Sequence, residues 1–284
     1  GGFAGSECGG FFGAELKRAG WDTVIFEGAS PTPVYLWIKD DQVELRPADH
    51  LWGQETWDVQ AKIREELGDK WIRVAQCGPA GERLVRISNI IHDANRAAGR
   101  TGLGSVMGSK KLRAVAVRGS QRPPVADPEK VDELAKWFRD HYKETGSAVF
   151  STLGTMRMVR NNQSVGGLPT YNFQEGVFDG FENISSERQQ ETYMVGRDTC
   201  FGCPVRCKWI VEVNDGEYHV DRKYGGPEYE TTGAMGSVCG IDDLRVINRA
   251  NQLCNAYGLD TIGTGVTIGF AMECFERGLI GPED

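Results

Sequence analysis

Several features that would assign the 284-residue sequence to a familiar class are missing from it. No apolar run reaches the roughly 18 residues of a membrane span, since the stretch 261–275 is interrupted by three glycines and Glu273. Acidic residues outnumber basic ones, 40 to 32, for a net charge of −8, which argues against binding nucleic acid or an anionic membrane. We therefore expect a cytoplasmic protein that acts on a small molecule.

The start of the sequence also lacks a charged and apolar signal segment. It begins at Gly1 without an initiator Met, and it stops just past a predicted helix. We interpret the sequence as a fragment of a longer protein that is truncated at both ends.

Glycine is abundant and clustered. The 37 glycines make up about 13% of the chain, nearly twice the usual ~7%, and several stand together at Gly9–Gly10 and between Gly99 and Gly104. Such clusters predict that the backbone approaches a ligand closely.

The predicted elements change in type along the chain. Segments rich in β-branched and aromatic residues are predicted strands: 23–28, 34–38, 43–46, 71–76, 84–91 and 114–119. Capping and periodicity predict helices: 57–67, 128–143, 186–194, 242–256 and 261–276. The fold class is therefore α+β, with a β-rich domain over 1–122 followed by a helical domain over 123–284, the two separated by the proline-containing linker 120–124.

The cysteines suggest a metal centre. Five of the eight are isolated, whereas Cys200, Cys203 and Cys207 form a Cys-x2-Cys-x3-Cys run, a distribution that favours a metal site over a disulfide framework. An iron-sulfur cluster or an all-cysteine zinc site takes four thiolates, so one ligand has to come from elsewhere. Iron-sulfur is the favoured interpretation, with zinc and coincidence as the alternatives.

A second set of residues suggests an anion site. The segment 95–104 combines Arg96 and Arg100 with several glycine amides, a composition that can bind phosphate by charge and by backbone geometry. It matches neither a P-loop nor a dinucleotide-binding fingerprint. An ordinary basic turn is the competing interpretation.

Two further turns carry acidic side chains. Glu228 and Glu230 stand at a predicted helix start after Pro227, where acids are common for structural reasons alone. Gly258 and Asp260 fit a helix C-cap followed by an N-cap. Either turn becomes functional only if it faces a ligand.

Six segments, taken in order, carry a resemblance to a known family: 9–22, 33–38, 95–119, 200–207, 225–231 and 254–265. Together they resemble the aldehyde ferredoxin oxidoreductase family of tungsten or molybdenum bis-pterin enzymes. The resemblance covers nearly the whole chain, and it implies a β-rich base that carries the pterins beneath helical domains.

The resemblance also implies roles for individual residues. It makes Cys200, Cys203 and Cys207 ligands of a [4Fe-4S] cluster whose fourth cysteine lies beyond Asp284, and it makes Glu230 a catalytic carboxylate beside the metal. It further implies pterin contacts, which fall on residues of three segments: Gly9, Arg96, Ala97, Asn255 and Asp260. Two positions depart from the family pattern, because Asn255 replaces a usual Asp and Glu7 stands where Asn is usual.

The function implied is oxidation of an aldehyde to a carboxylic acid, with electrons passing through the cluster to ferredoxin or another electron-transfer protein. One alternative is an aromatic acyl-CoA reductase subunit of the benzoyl-CoA type, which has the same fold. The other is a noncatalytic iron-sulfur or zinc module that transfers electrons. The sequence predicts no nucleic-acid partner and leaves a homo- or hetero-oligomer open.

Overall fold

A computed structural model of the chain describes residues 3–284. Its strands are Val34–Lys39 (β1), Gln42–Pro47 (β2), Arg73–Cys77 (β3), Ile90–His92 (β4), Arg96–Ala98 (β5), Leu112–Arg118 (β6), Met194–Asp198 (β7), Lys208–Val211 (β8), Val213–Asp215 (β9) and Tyr218–Val220 (β10). Its α-helices are Phe12–Arg18 (α1), Thr56–Glu66 (α2), Pro79–Glu82 (α3), Leu103–Ser109 (α4), Pro128–His141 (α5), Ala148–Leu153 (α6), Met158–Ser164 (α7), Ser186–Thr192 (α8), Tyr229–Met235 (α9), Leu244–Tyr257 (α10) and Thr261–Glu276 (α11). The α+β prediction is confirmed.

The chain divides into two compact units. The first runs to Asp140 and also includes Cys200–Cys203 and Asn255–Asp260. The second comprises His141–Thr199, Pro204–Cys254 and Thr261–Asp284. The domain boundary near residue 122 stays a prediction from the sequence.

The first unit is built on a mixed six-stranded sheet. Its strand order is β2-β1-β6-β3-β4-β5. The β1–β6 pair is parallel, and the other neighbouring strands are antiparallel. Strands β4 and β5 form a hairpin at one edge, and this hairpin carries Arg96.

Both faces of this sheet are covered. Four consecutive residues of β1 are buried although their side chains point alternately to the two faces. Tyr35 and Trp37 point to one face, where they pack in one cluster with Val59 and Ile63 of α2. The neighbouring residue Leu36 points to the other face, in a cluster that includes residues of α1 and α4. Burying each such large apolar side chain contributes about 1.5–3 kcal/mol.

Helices α3 and α4 approach each other through glycines. A Cβ atom at Gly108 would lie 1.9 Å from the carbonyl oxygen of Gly81, and one at Gly81 would lie 2.6 Å from that of Gly104. Only glycine allows backbones to come this close. The contact fixes α4 against the segment that follows β3.

A buried arginine supports the same region. Arg113 on β6 is fully buried, and its Nε atom lies 2.8 Å from Oε1 of Glu82 at the end of α3. The guanidinium also donates to the carbonyl oxygens of Gln54 and Cys77 and to the side chain of Gln76. These contacts offset the free-energy cost of burying the guanidinium charge away from water.

One predicted strand is wrong, and a second is wrong except for its last two residues, 90 and 91, which belong to β4. Residues 23–28 form no strand, although Val24 and Phe26 alternate as expected and pack, partly buried, against the core cluster of Leu36. Residues 84–89 form turns, beginning with Leu84 at φ +59. Their backbone instead pairs with residues 258–260, a long-range contact that local sequence could not reveal.

The second unit is mainly helical, with the two hairpins β7–β8 and β9–β10. Helix α11 packs closely on α9, since a Cβ atom at Gly265 would lie 2.4 Å from the carbonyl oxygen of Ala234. Across residues 3–284, no helix combines the length and apolarity needed to cross a membrane.

Candidate cofactor-binding site

The first glycine loop lies against the β4–β5 hairpin. Ser6 Oγ donates a 2.6 Å hydrogen bond to the carbonyl oxygen of Gly99. Four residues further on, Gly10 has φ +101, and a Cβ atom there would lie 3.3 Å from Cγ of Arg96. Two of the segments that the sequence singled out as ligand-binding loops are therefore neighbours.

The same loop contacts the first half of the cysteine segment. The backbone amide of Phe201 donates to the carbonyl oxygen of Gly10 at 3.0 Å, and a Cβ atom at Gly9 would lie 3.0 Å from Sγ of Cys200. A side chain at position 9 would therefore crowd the neighbouring thiol. Cys203 stays near because its amide bonds to the carbonyl oxygen of Cys200.

The turn between α10 and α11 joins this unit through backbone hydrogen bonds. The amide of Asn89 donates to the carbonyl oxygen of Gly258, and the amide of Asp260 donates to that of Ile87. Gly258 has φ +74, so it forms the predicted left-handed C-cap. The structure thereby brings Asp260 to the hairpin, and a Cβ atom at Gly99 would lie 4.0 Å from its Oδ1.

Asn255, in the last turn of α10, is held by a separate hydrogen bond. Its carbonyl oxygen accepts a 2.9 Å hydrogen bond from Oγ1 of Thr56 at the start of α2. Thr56 is in turn fixed by Gln76, whose side-chain amide donates to its carbonyl oxygen. Both Asn255 and Asp260 are buried.

Two buried polar atoms in the segment next to these loops make no hydrogen bond within the described residues. Ser88 Oγ and Asn89 Oδ1 have no hydrogen-bond partner among residues 3–284, although unsatisfied buried groups are costly. Both belong to the segment that pairs with the 258–260 turn. Sequence reasoning missed them because it assigned 84–91 to a strand.

A third buried polar atom belongs to His92, for which the sequence suggested only a surface or core position. His92 pairs with Arg96 across the β4–β5 hairpin, so the two side chains share one face. Its ring lies 4.9 Å from that of Phe12, and burial lowers its pKa from 6.5 to about 4. Nδ1 has no hydrogen-bond partner within the described part of the chain.

These residues fit a polyanionic cofactor with many hydrogen-bonding edges. The glycines leave the loop backbone open to a ligand. Arg96 supplies a guanidinium group that can bind phosphate oxygens, and Asp260 supplies a carboxylate. The adjoining Arg100 and Thr101 both have positive φ, so this hairpin continues as an unusual backbone path. A pterin with phosphate groups has chemistry that matches this donor set.

The second unit holds Cys207 and Glu230. Glu230 is in the first turn of α9 and is exposed. Cys207 immediately precedes β8. Within residues 3–284, no group of three or more His, Cys, Asp or Glu side chains is placed to hold a metal ion, so the three-cysteine cluster stays a prediction.

An ion pair near Glu230 was not anticipated from the sequence. Lys208, directly after Cys207, is buried, and its Nζ atom lies 3.1 Å from Oε1 of Glu228. The same ammonium donates a 2.9 Å hydrogen bond to the carbonyl oxygen of Gly226. A lysine beside a Cys motif looks like an exposed charge in sequence, which is why its role was missed.

The chain matches two sequence models of one family. The model of the aldehyde ferredoxin oxidoreductase N-terminal domain matches residues 1–119, and the model of domains 2 and 3 of the same family matches residues 130–284. The chain belongs to the aldehyde ferredoxin oxidoreductase family.

Individual relatives agree with this assignment. The chain is 42% identical over 284 residues to a tungsten-containing aldehyde ferredoxin oxidoreductase of Thermococcus kodakarensis, and the match covers 98% of the chain and 46% of that protein. A protein of the same name from Pyrococcus furiosus is 40% identical with equal coverage. Identity is 34% to an aliphatic sulfonate oxidoreductase, WOR-like subunit, of the same organism. The chain thus spans less than half the length of these relatives.

A solved structure has a similar fold. The active-site complex BamBC of benzoyl coenzyme A reductase, bound to 1,5-dienoyl-CoA, superposes with a TM-score of 0.81 at 28% identity, covering 98% of this chain and 44% of that one. The benzoyl-CoA alternative is not favoured, because sequence identity is higher to the aldehyde enzymes.

Proposed function

We propose that the full-length protein is a tungsten-pterin oxidoreductase that converts an aldehyde and water into a carboxylic acid, two protons and two electrons. The observation that carries this is the meeting of the first glycine loop, the 96–99 hairpin and the 258–260 turn in one unit. Its support from family membership is independent of that geometry.

Each residue has a defined task in this proposal. The tungsten-pterin group, when bound, supplies the two-electron oxidation. Arg96 neutralises its phosphates, the backbone at Gly9 and Ala97 approaches it without steric hindrance, and Asn255 and Asp260 hydrogen-bond its ring system. A carboxylate can accept a proton from the water molecule that attacks the aldehyde carbonyl, so Glu230 acts as general base.

Electron exit is the second part of the proposal. Cys200, Cys203 and Cys207 supply three thiolates of a [4Fe-4S] cluster, and the fourth comes from the remainder of the protein. Ferredoxin is the proposed acceptor. This part rests on cysteine spacing and family resemblance, and the cytoplasmic location likewise stays a prediction.

The test is metal analysis of the full-length protein purified anaerobically from cells supplied with tungstate. We expect about one tungsten and about four irons per chain, together with aldehyde-dependent reduction of a dye. Arg96→Ala should lower tungsten but not iron, and Cys203→Ser should lower iron. Lys143, which is exposed, provides the control Lys143→Ala.

The outcomes separate the alternatives. Iron or zinc without tungsten or molybdenum would overturn the proposal in favour of an electron-transfer or structural module. Tungsten with activity on benzoyl-CoA and none on a panel of aldehydes would move the assignment to the acyl-CoA branch.

A further inference from the structure

The start of helix α9 is fixed by a closed set of polar contacts in the second unit. Lys208 Nζ contacts both the carbonyl oxygen of Gly226, at 2.9 Å, and Oε1 of Glu228, at 3.1 Å. The other oxygen of Glu228 accepts a hydrogen bond from Oγ1 of Thr155. That hydroxyl oxygen in turn accepts a 3.0 Å bond from the amide of Tyr229, the first residue of the helix.

This arrangement replaces an ordinary helix cap. Glu228 occupies the N-cap position of α9, but its side chain does not cap the helix. Its carboxylate is turned to Lys208 and Thr155, and Thr155 satisfies the first helical amide. The position of α9 therefore depends on side chains from outside the helix.

Strand β8 is tied to the same turn through its backbone. The amide of Gly226 donates a 2.7 Å hydrogen bond to the carbonyl oxygen of Trp209. A Cβ atom at Gly226 would lie 2.9 Å from Cγ1 of Val211, so the turn and the strand are in close contact. Lys208, the first residue of β8, adds a side-chain hydrogen bond to the same turn, at the carbonyl oxygen of Gly226.

We propose that Lys208 is a positioning residue for Glu230. Its ammonium holds the 225–228 turn against β8, so that α9 begins at a fixed place and presents the Glu230 carboxylate from its first turn. The inference deepens the proposed function, on which the role of Glu230 rests. A small displacement of a reacting group can cost one or two orders of magnitude in rate, so the clamp has a functional consequence.

The burial of Lys208 supports a specific role. The residue is 5% exposed, and lysine is seldom this buried unless its charge is paired. Glu228 pairs with that charge, whereas Glu230, two residues further on, stays exposed. The two glutamates of this turn thus have different tasks: one is tied down and the other remains available.

The experiment compares Lys208→Met with Lys143→Met in the full-length holoenzyme. Methionine keeps the apolar stem and removes the ammonium, and Lys143 is an exposed lysine of the same unit. For Lys208→Met we expect a roughly tenfold lower kcat, with the KM for aldehyde within about twofold and tungsten and iron contents unchanged. Lys143→Met should match the wild type.

A double-mutant cycle distinguishes positioning from general support. If Lys208 acts through Glu230, then Lys208→Met should lower kcat little further in a Glu230→Gln background. An equal loss in both backgrounds would overturn the inference, and so would an unchanged kcat in the single variant.

A readout independent of activity guards against failure of the proposed function. Amide hydrogen exchange over 229–232 should be faster in Lys208→Met than in Lys143→Met, because the clamp on the helix start is gone. Unchanged exchange would contradict the inference. Should Lys208→Met fail to load metal, Glu228→Gln provides the second variant, since it removes the partner charge and should give the same kcat loss. A wild-type enzyme without tungsten or aldehyde activity would instead refute the proposed function alone.

Discussion

The hydroxyl of Ser6 and the carbonyl oxygen of Gly99 are joined by a 2.6 Å hydrogen bond, although 93 positions separate the residues in sequence. This bond connects the first glycine loop to the hairpin that bears Arg96. Gly99 also stands next to Asp260. One residue pair thus marks the place where three separate sequence motifs meet.

Ser6→Ala should weaken retention of the cofactor. Losing a hydrogen bond costs about 1 kcal/mol, which corresponds to roughly fivefold weaker binding if the loop must be ordered to bind. Tungsten and pterin per chain after prolonged dialysis are the quantities to measure. Ser109→Ala is the matched control, because its hydroxyl bonds within the last turn of α4, to the carbonyl oxygen of Val106. Equal cofactor loss in both variants would contradict the prediction.

Gly108→Ala should destabilise the first unit. A Cβ atom there would lie 1.9 Å from the carbonyl oxygen of Gly81, and the added methyl would force α3 and α4 apart. Overpacking of this kind costs about 1–3 kcal/mol. By contrast, Gly13→Ala lies at an exposed helical position with nothing within 4 Å and should stabilise by about 0.5–1 kcal/mol. The midpoint of thermal unfolding should therefore move in opposite directions in the two variants.

The sequence predicted the parts of the fold that local pattern determines. Helix α11 begins at Thr261 and ends at Glu276 as expected, because a C-cap glycine and an Asp N-cap mark the preceding turn. Residues 84–89 of the strand expected at 84–91 do not form one, for the opposite reason: Asn89 bonds to Gly258, a partner far along the chain. The apolar content of a segment alone cannot distinguish a strand of a sheet from a segment that pairs with a distant turn.

The candidate site shows the same division. Motif order was sufficient to select Gly9, Arg96 and Asp260, and the structure brings their segments together in one unit. Neither Lys208 nor His92 was selected as a candidate, because the burial of both and the ion pair of Lys208 depend on tertiary contacts. A single charged residue carries no such signal in sequence.

Arg113→Met should strongly lower the stability of the first unit. The change leaves Glu82 without its buried partner, and the carbonyl oxygens of Gln54 and Cys77 lose the hydrogen bonds that Arg113 donates to them. Breaking one side of a buried ion pair costs about 3–5 kcal/mol, measurable from denaturant unfolding. The control Arg139→Met breaks an exposed pair with Asp140 and should leave the midpoint unchanged.

A double substitution tests the electrostatic origin of that loss. Arg113→Met combined with Glu82→Leu removes both charges from the interior, so part of the stability lost in the single variant should return. If the double variant is less stable than Arg113→Met by the full effect of Glu82→Leu alone, the ion pair is not the cause.

His92 should make the protein less stable as the pH falls from about 6.5 to about 4. Burial lowers the pKa of its imidazole from 6.5 to about 4, so in this range the unfolded chain binds a proton that the folded chain does not. The free energy of unfolding then decreases with decreasing pH, by about 3 kcal/mol over the whole interval, and this contribution is fully present above pH 6.5. Urea unfolding of the wild type, His92→Leu and the exposed-site control His50→Gln at several pH values measures it. The slope should shrink in His92→Leu and persist in His50→Gln; an unchanged slope in His92→Leu would show that the acid sensitivity comes from other groups.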